Sequence, residues 1–123
     1  MKLRIKGNSL RLRLTKTEIT NFGKQGSIED KTSFAGGAFF GYTLQQKPGI
    51  IELEASFSEN RITVFVPETM AQQWVSTDIV GFENKMDIGN GQHLFLLIEK
   101  DWVCLDNTFE DQSDNFPNPN VTC

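Results

Sequence analysis

Histidine and cysteine, which carry most metal and nucleophile chemistry, are almost missing: the chain has one histidine, His93, and two cysteines, Cys104 and Cys123. Two cysteines so far apart make neither a disulfide framework nor a zinc knuckle, and they read as reduced thiols. A nucleophilic Cys104 would need a nearby base, and His93 stands at an expected hairpin turn well before it. Cys104 therefore reads as a small buried hydrophobe and His93 as a solvent-exposed side chain. Long apolar runs are missing too. The longest, residues 94–98, is far below the roughly 20 residues a membrane-spanning helix needs, and residues 1–6 alternate charged with apolar side chains where a signal peptide needs an unbroken apolar stretch. A cytoplasmic protein is expected. An excess of positive charge is likewise lacking, the net charge being −4, which argues against nucleic acid as a partner. Neither a glycine-rich nucleotide loop, a Gly-x-Ser-x-Gly elbow nor a His-Glu-x-x-His motif is present, which weighs against an enzyme, and no cofactor is implied.

What is there suits one folded unit. The chain has 123 residues, of which 38% are hydrophobic and 23% charged, enough to bury a core without disulfides or a structural metal. Residues 1–105 read as a single globular domain, and residues 106–123 as an acidic tail in which Pro117 and Pro119 forbid a regular ladder. No repeat at a fixed period stands out. Charge is unevenly placed. Lys2, Arg4, Lys6, Arg11, Arg13 and Lys16 precede the first acid, Glu18, while Glu99, Asp101, Asp106, Glu110, Asp111 and Asp114 crowd the far end around one Lys100. A basic head and an acidic tail can attract each other.

The apolar alternation changes phase across Gly7-Asn8, which a two-residue hairpin loop explains by pairing Ile5 with Leu10, Arg4 with Arg11 and Leu3 with Leu12. Thr15 and Glu18 then form a capping box, with Leu14 and Ile19 as its staple, and predict a helix from about Lys16 that ends at Gly23 or Gly26. Residues 27–34 alternate weakly, as in a strand, and Gly36-Gly37 breaks the chain. Residues 39–66 read as a three-strand meander, in which a Pro48-Gly49 turn pairs Leu44 with Leu53 and a Glu59-Asn60 turn pairs Ala55 with Val64. Pro67-Glu68 opens a second helix whose stripe is Met70, Ala71, Trp74 and Val75. A last hairpin turns at residues 89–91, with residues 94–98 buried on both sides. The resulting fold class is strand-rich α+β: a curled antiparallel sheet or small barrel of about eight strands with two short helices.

Two constellations could carry function. Lys2, Arg4, Arg11 and Arg13 share one hairpin face, with Arg4 opposite Arg11. Like charges in that position destabilise a strand pair unless an anion is near. Either Glu52, Glu54 or the acidic tail supplies it, or the face binds a phosphorylated or carboxylate ligand, which paired guanidiniums fit in bidentate geometry. Glu52 and Glu54 could alternatively hold a metal beside a phosphate gripped by the arginines, the pattern of an enzyme acting on phosphorylated substrates. The tail itself fails the calcium-loop test, since counting from Asp106 puts Asp111 where glycine is needed and Pro117 where glutamate is needed.

The segments LRIKGNSLRLRLTKTE, ENRITVFVPE, VGFE at residues 80–83, EKDWVCL and EDQSDNFPNPN together resemble a small family of uncharacterised bacterial proteins. The resemblance spans most of the chain and implies a cytosolic bacterial protein, with no established activity or site residue to carry across. The expected role is a binding or regulatory module that uses the basic face for an anionic small molecule or an acidic segment. The alternatives are the phosphate enzyme and a structural partner that pairs through a sheet edge.

Overall fold

The phase change at Gly7-Asn8 does produce a hairpin. In a computed structural model, which describes residues 1–101, β1 (Lys2–Ile5) and β2 (Ser9–Leu14) pair Lys2 with Arg13, Leu3 with Leu12, Arg4 with Arg11 and Ile5 with Leu10. Gly7 takes the positive φ, 54°, that this loop requires. Leu12 and Leu14 are buried on one face while Arg11 and Arg13 take the other.

Helix α1 (Lys16–Gln25) begins where the capping box places it. The Glu18 N–H donates to the Thr15 hydroxyl and the Thr15 N–H donates to Glu18 Oε1 at 2.9 Å, and Gly26 closes the helix in the left-handed conformation. Ile19 and Phe22 point inward. The chain continues through β3 (Ser27–Ser33), a short 3-10 turn (Ala35–Gly37), β4 (Phe39–Lys47), β5 (Glu54–Ser58), β6 (Arg61–Pro67), α2 (Glu68–Ser76), β7 (Gly81–Gly89) and β8 (Gln92–Lys100).

The eight strands of the described residues form two four-stranded mixed sheets, ordered β1-β2-β8-β7 and β3-β4-β6-β5. The expectation of a strand-rich α+β fold with two helices holds. That of a curled antiparallel sheet or barrel does not, because each sheet has a parallel pair at its centre and no barrel closes among the described residues. The error lies at Pro48-Gly49. The chain turns there, but β5 passes to the far side of β6, and Leu44 lies beside Val64 in parallel register, not opposite Leu53. The Glu59-Asn60 turn is as expected, both residues having positive φ and Ala55 facing Val64. Residues 94–98 are not buried on both sides either. Leu96 and Ile98 are, but Phe95 alternates outward and is 52% exposed.

The two sheets also reveal a repeat that residue identities hide. The unit β1-β2-α1-β3-β4 recurs as β5-β6-α2-β7-β8, and a pseudo-twofold operation turns one sheet's strand order and register into the other's. Leu3↔Leu12 becomes Ala55↔Val64, Ile28↔Leu44 becomes Phe82↔Ile98, and the parallel pair Ser9↔Phe95 becomes Arg61↔Gly41. The hairpin loops Gly7-Asn8 and Glu59-Asn60 are equivalent, as are the buried side chains Leu14 and Val66, Ile19 and Ala71, and Phe22 and Trp74. Each unit gives one hairpin to each sheet, so its helix crosses between them.

Both helices and both inner sheet faces build one core, which includes Leu12, Leu14, Phe22, Leu44, Leu53, Val64, Trp74, Leu96 and Ile98. Where a barrel would need a ladder, side chains bridge the sheets. The Tyr42 hydroxyl donates to the Met1 carbonyl at 3.1 Å, and Asn84 Nδ2 donates to the Leu53 carbonyl at 2.9 Å. The α-amine of Met1 pairs with Glu18 and reaches Asp30 Oδ2 at 3.4 Å.

Leu53 is fully buried, so Leu53→Ala should cost ~2–5 kcal/mol, the range for a truncated core leucine, measured by urea unfolding. A loss under about 0.5 kcal/mol, as at a surface site, would contradict its place in the core. The cap gives a second expectation. Partial burial raises the Glu18 pKa, but bonds from the Met1 α-amine and from Thr15 outweigh it and hold the carboxyl below its ordinary value. A depressed folded pKa contributes stability above the unfolded pKa, about 4.3, which is lost as pH falls through the folded value. The gap between wild type and Glu18→Gln should therefore be widest above about pH 5 and close in acid. Thr15→Ala should cost ~1 kcal/mol, and an acid limb identical in wild type and Glu18→Gln would exclude the carboxylate's role.

Candidate functional site

The ladder registers fix what the outer face of the β1-β2-β8-β7 sheet displays. Three rows cross it: Lys2-Arg13-Glu99-Gly81, then Arg4-Arg11-Leu97-Glu83, then Ser9-Phe95-Lys85. The four cations expected to share a face therefore do so, and Arg4 does stand opposite Arg11. Their acidic partners among the described residues are Glu99 and Asp101, the first of the acids that crowd the far end, and not Glu52 or Glu54. Glu99 on β8 accepts from Arg13 Nε at 2.9 Å and Arg13 Nη2 at 2.7 Å, with Arg11 Nε 3.5 Å away, and Asp101 lies 3.1 Å from Lys2 Nζ. Neither Arg4 nor Arg11 is without a partner. Among the described residues the face carries Lys2, Arg4, Arg11, Arg13 and Lys85 together with Glu83, Asp87, Glu99 and Asp101, the cations gathered on the β1-β2 side.

Glu52 and Glu54 are not brought to this face. Glu54 begins β5, an edge strand of the other sheet, where its carboxylate lies 3.9 Å from Lys47 Nζ, and Glu52 is exposed in the preceding loop. No group of three or more potential metal ligands occurs among the described residues. His93 lies on β8 opposite Asp87. Cys104, Cys123 and the acidic segment from 106 onward lie outside the described residues.

Beside the arginines is a shallow cup of about 440 Å³, lined by Ser9, Arg11, Glu83, Lys85, Phe95 and Leu97 among others. Its apolar patch is Phe95 with Leu97, and Lys85 Nζ stands 5.7 Å from the centre of the Phe95 ring. Sequence reading missed these residues because 94–98 looks like a strand buried on both faces. The signal that could have found them is parity: if Leu96 and Ile98 face the core, Phe95 and Leu97 must face out.

The pseudo-twofold supplies an internal comparison. The equivalent of this cup on the other sheet has Arg61 for Ser9, Gly41 for Phe95 and Thr43 for Leu97, while Lys31 and Glu29 match Lys85 and Glu83. There Arg61 lies across the sheet. Its Nη1 donates to Glu29 Oε2 at 3.2 Å and to Thr43 Oγ1 at 2.9 Å, and a Cβ on Gly41 would stand 3.0 Å from its Cζ. The second face is filled by its own side chain, whereas the first carries a cup whose aromatic is half exposed. The arrangement suits recognition: guanidiniums for carboxylates, and an adjoining apolar patch for a side chain carried beside them.

No helix among the described residues is long and apolar enough to cross a membrane. No curated protein and no solved structure matches the chain. Residues 1–120 match a family of unknown function, DUF7009, and the chain belongs to it.

Proposed function

We propose that this protein is a binding module whose basic outer sheet face takes an acidic peptide segment. The observation that carries the reading is the junction of Arg4 and Arg11 with the Phe95 and Leu97 patch. Glu99 already pairs with Arg11 and Arg13 on this face, and the same guanidinium geometry beside Phe95 suits a further carboxylate carried next to an apolar side chain. Small anionic ligands favour enclosed sites that remove most of their surface from water. A shallow cup beside a cationic strip fits an extended segment better, with carboxylates along the arginines and an aromatic or aliphatic residue against Phe95.

The reading is tested by titrating a labelled peptide of alternating glutamate and phenylalanine onto the chain and following anisotropy. Arg4→Ala and Arg11→Ala should each weaken binding about tenfold, the worth of a charge-assisted hydrogen bond. Phe95→Ser should weaken it independently of ionic strength, while the arginine contribution should shrink as salt shortens the Debye length. Affinity that responds to salt but to none of these substitutions would place binding elsewhere and end the proposal.

A further inference from the structure

We infer that the end of the molecule farthest from the helices docks on a lipid surface bearing anionic headgroups, into which it inserts Ile5, Phe34, Phe57 and Ile88. The inference goes beyond the peptide reading and needs none of the outer-face arginines.

Strand direction creates this end. β2 runs into α1 and β6 into α2, and β8 and β4 run parallel to them, so the four central strands all finish at the helices. The four tight connections therefore gather at the opposite end: Gly7-Asn8, the 3-10 turn Ala35–Gly37, Glu59-Asn60 and residues 89–91. Beside each stands one large apolar residue, Ile5, Phe34, Phe57 or Ile88, and these are between 46% and 65% exposed. Ile5 and Phe57 keep the inward parity of Leu3 and Ala55, so they belong to the inner faces and are exposed because the core ends beside them. The pseudo-twofold relates the four residues as two pairs, Ile5 with Phe57 and Phe34 with Ile88. Each unit thus sets out the same two exposed apolar positions, whichever side chain fills them. Phe57 is braced from behind, the ring centroid of Phe40 lying 6.4 Å from that of Phe57 and 6.5 Å from that of Tyr42.

The layout decides the occupant. At roughly 100 Å² for each half-exposed side chain, the four offer on the order of 400 Å² of apolar surface, half of the ~800 Å² per partner in a standard protein interface. Asn8, Asn60 and Asn90 stand in the turns and divide that surface further. A second copy or another protein would have to match this broken relief, whereas an acyl layer receives each tip separately. Charge agrees with that choice. Residues 33–40, which contain the connection from β3 to β4, hold no charged side chain to resist burial. Around the tips stand Lys6, Lys31 and Lys85, none of which joins an ion pair among the described residues, and Arg61, which pairs with Glu29. Glu59 and Asp87 are the carboxylates beside the turns. Flexible lysine stems let the ammonium groups meet headgroup phosphates while the apolar tips go deeper. With a net charge of −4, long-range attraction is not the main term, so insertion carries most of the affinity and the lysines add to it locally.

The test is co-sedimentation of the full-length chain with vesicles of phosphatidylcholine alone and of phosphatidylcholine mixed equally with phosphatidylserine. Wild type should pellet with both and more completely with the anionic ones. Phe34→Ser with Phe57→Ser should weaken binding to both about tenfold or more, while Phe34→Leu with Phe57→Leu should retain it. Ile5→Ser with Ile88→Ser carries the same expectation as the first pair and replaces it as the probe if loss of the aromatic rings lowers the urea midpoint. Lys6→Glu with Lys31→Glu should weaken binding to the anionic vesicles alone, by about tenfold. A wild-type chain that stays in the supernatant with both vesicles, or whose binding survives every tip substitution, would overturn the inference. So would a concentration-dependent dimer that the serine substitutions dissolve and that binds no vesicle, which would assign this end to a second copy.

Discussion

Phe22 and Trp74 meet edge to face, ring centroids 5.9 Å apart and planes at 73°, between the two helices that join the sheets. Each ring is fully buried, and each comes from the helix that carries its half of the chain from one sheet to the other. The contact needs a close helix approach, which Gly23 provides: a Cβ there would stand 2.7 Å from Val75 Cγ1. Glycine inside a helix costs about 0.5–1 kcal/mol relative to alanine, but here it lets two aromatic side chains bury, a larger gain. The Trp74 indole N–H is satisfied by the Val80 carbonyl at 3.0 Å, so the ring enters the core with no unpaired donor. Because each unit lends a hairpin to both sheets, neither sheet exists without both units, and this helix pair ties the halves together.

The legible parts of the fold were those set by local chemistry. The Gly7-Asn8 hairpin and its register, the Thr15-Glu18 capping box and the Glu59-Asn60 turn each need only neighbouring residues, and each formed. Strand faces were legible for a related reason. Side-chain parity fixes which face a residue takes whatever strand lies beside it, so Leu44, Leu53 and Val64 were correctly assigned to the core although Leu44 and Leu53 are not partners. Neighbour identity is a different quantity. An antiparallel hairpin and a parallel crossover satisfy the same alternation, and the choice is made by the helices far along the chain.

The repeat escaped sequence reading for a comparable reason. Equivalent core positions hold Leu14 and Val66, Ile19 and Ala71, Phe22 and Trp74, pairs that keep burial and exchange volume. The spacing also drifts, from 52 residues through the first hairpin and helix to 54 in the second hairpin, so no fixed period aligns the halves. Complementary volume explains the pattern: Ile19 with Phe22 in one helix against Ala71 with Trp74 in the other fills a shared core more evenly than two copies of the same pair would.

Duplicated geometry also separates what the fold requires from what one face has acquired. Both outer faces keep the lysine and the glutamate on their second edge strands, Lys31 with Glu29 and Lys85 with Glu83, so these belong to the common framework. The difference is concentrated in the rows between. One sheet places Arg61 over Gly41 and turns its charge inward on Glu29 and Thr43, which satisfies the guanidinium at home. The other has Ser9 in place of that arginine and Phe95 in place of the glycine, and carries its guanidiniums at Arg4, Arg11 and Arg13, with Glu99 pairing Arg11 and Arg13. The first solution has no cross-strand arginine pair, and its half-buried Phe39 and Phe65 lie under Lys31, Arg61 and Lys47. The second sets a cross-strand arginine pair beside the half-exposed Phe95 on one face, and that juxtaposition of guanidinium and apolar surface is the physical support for the proposed recognition.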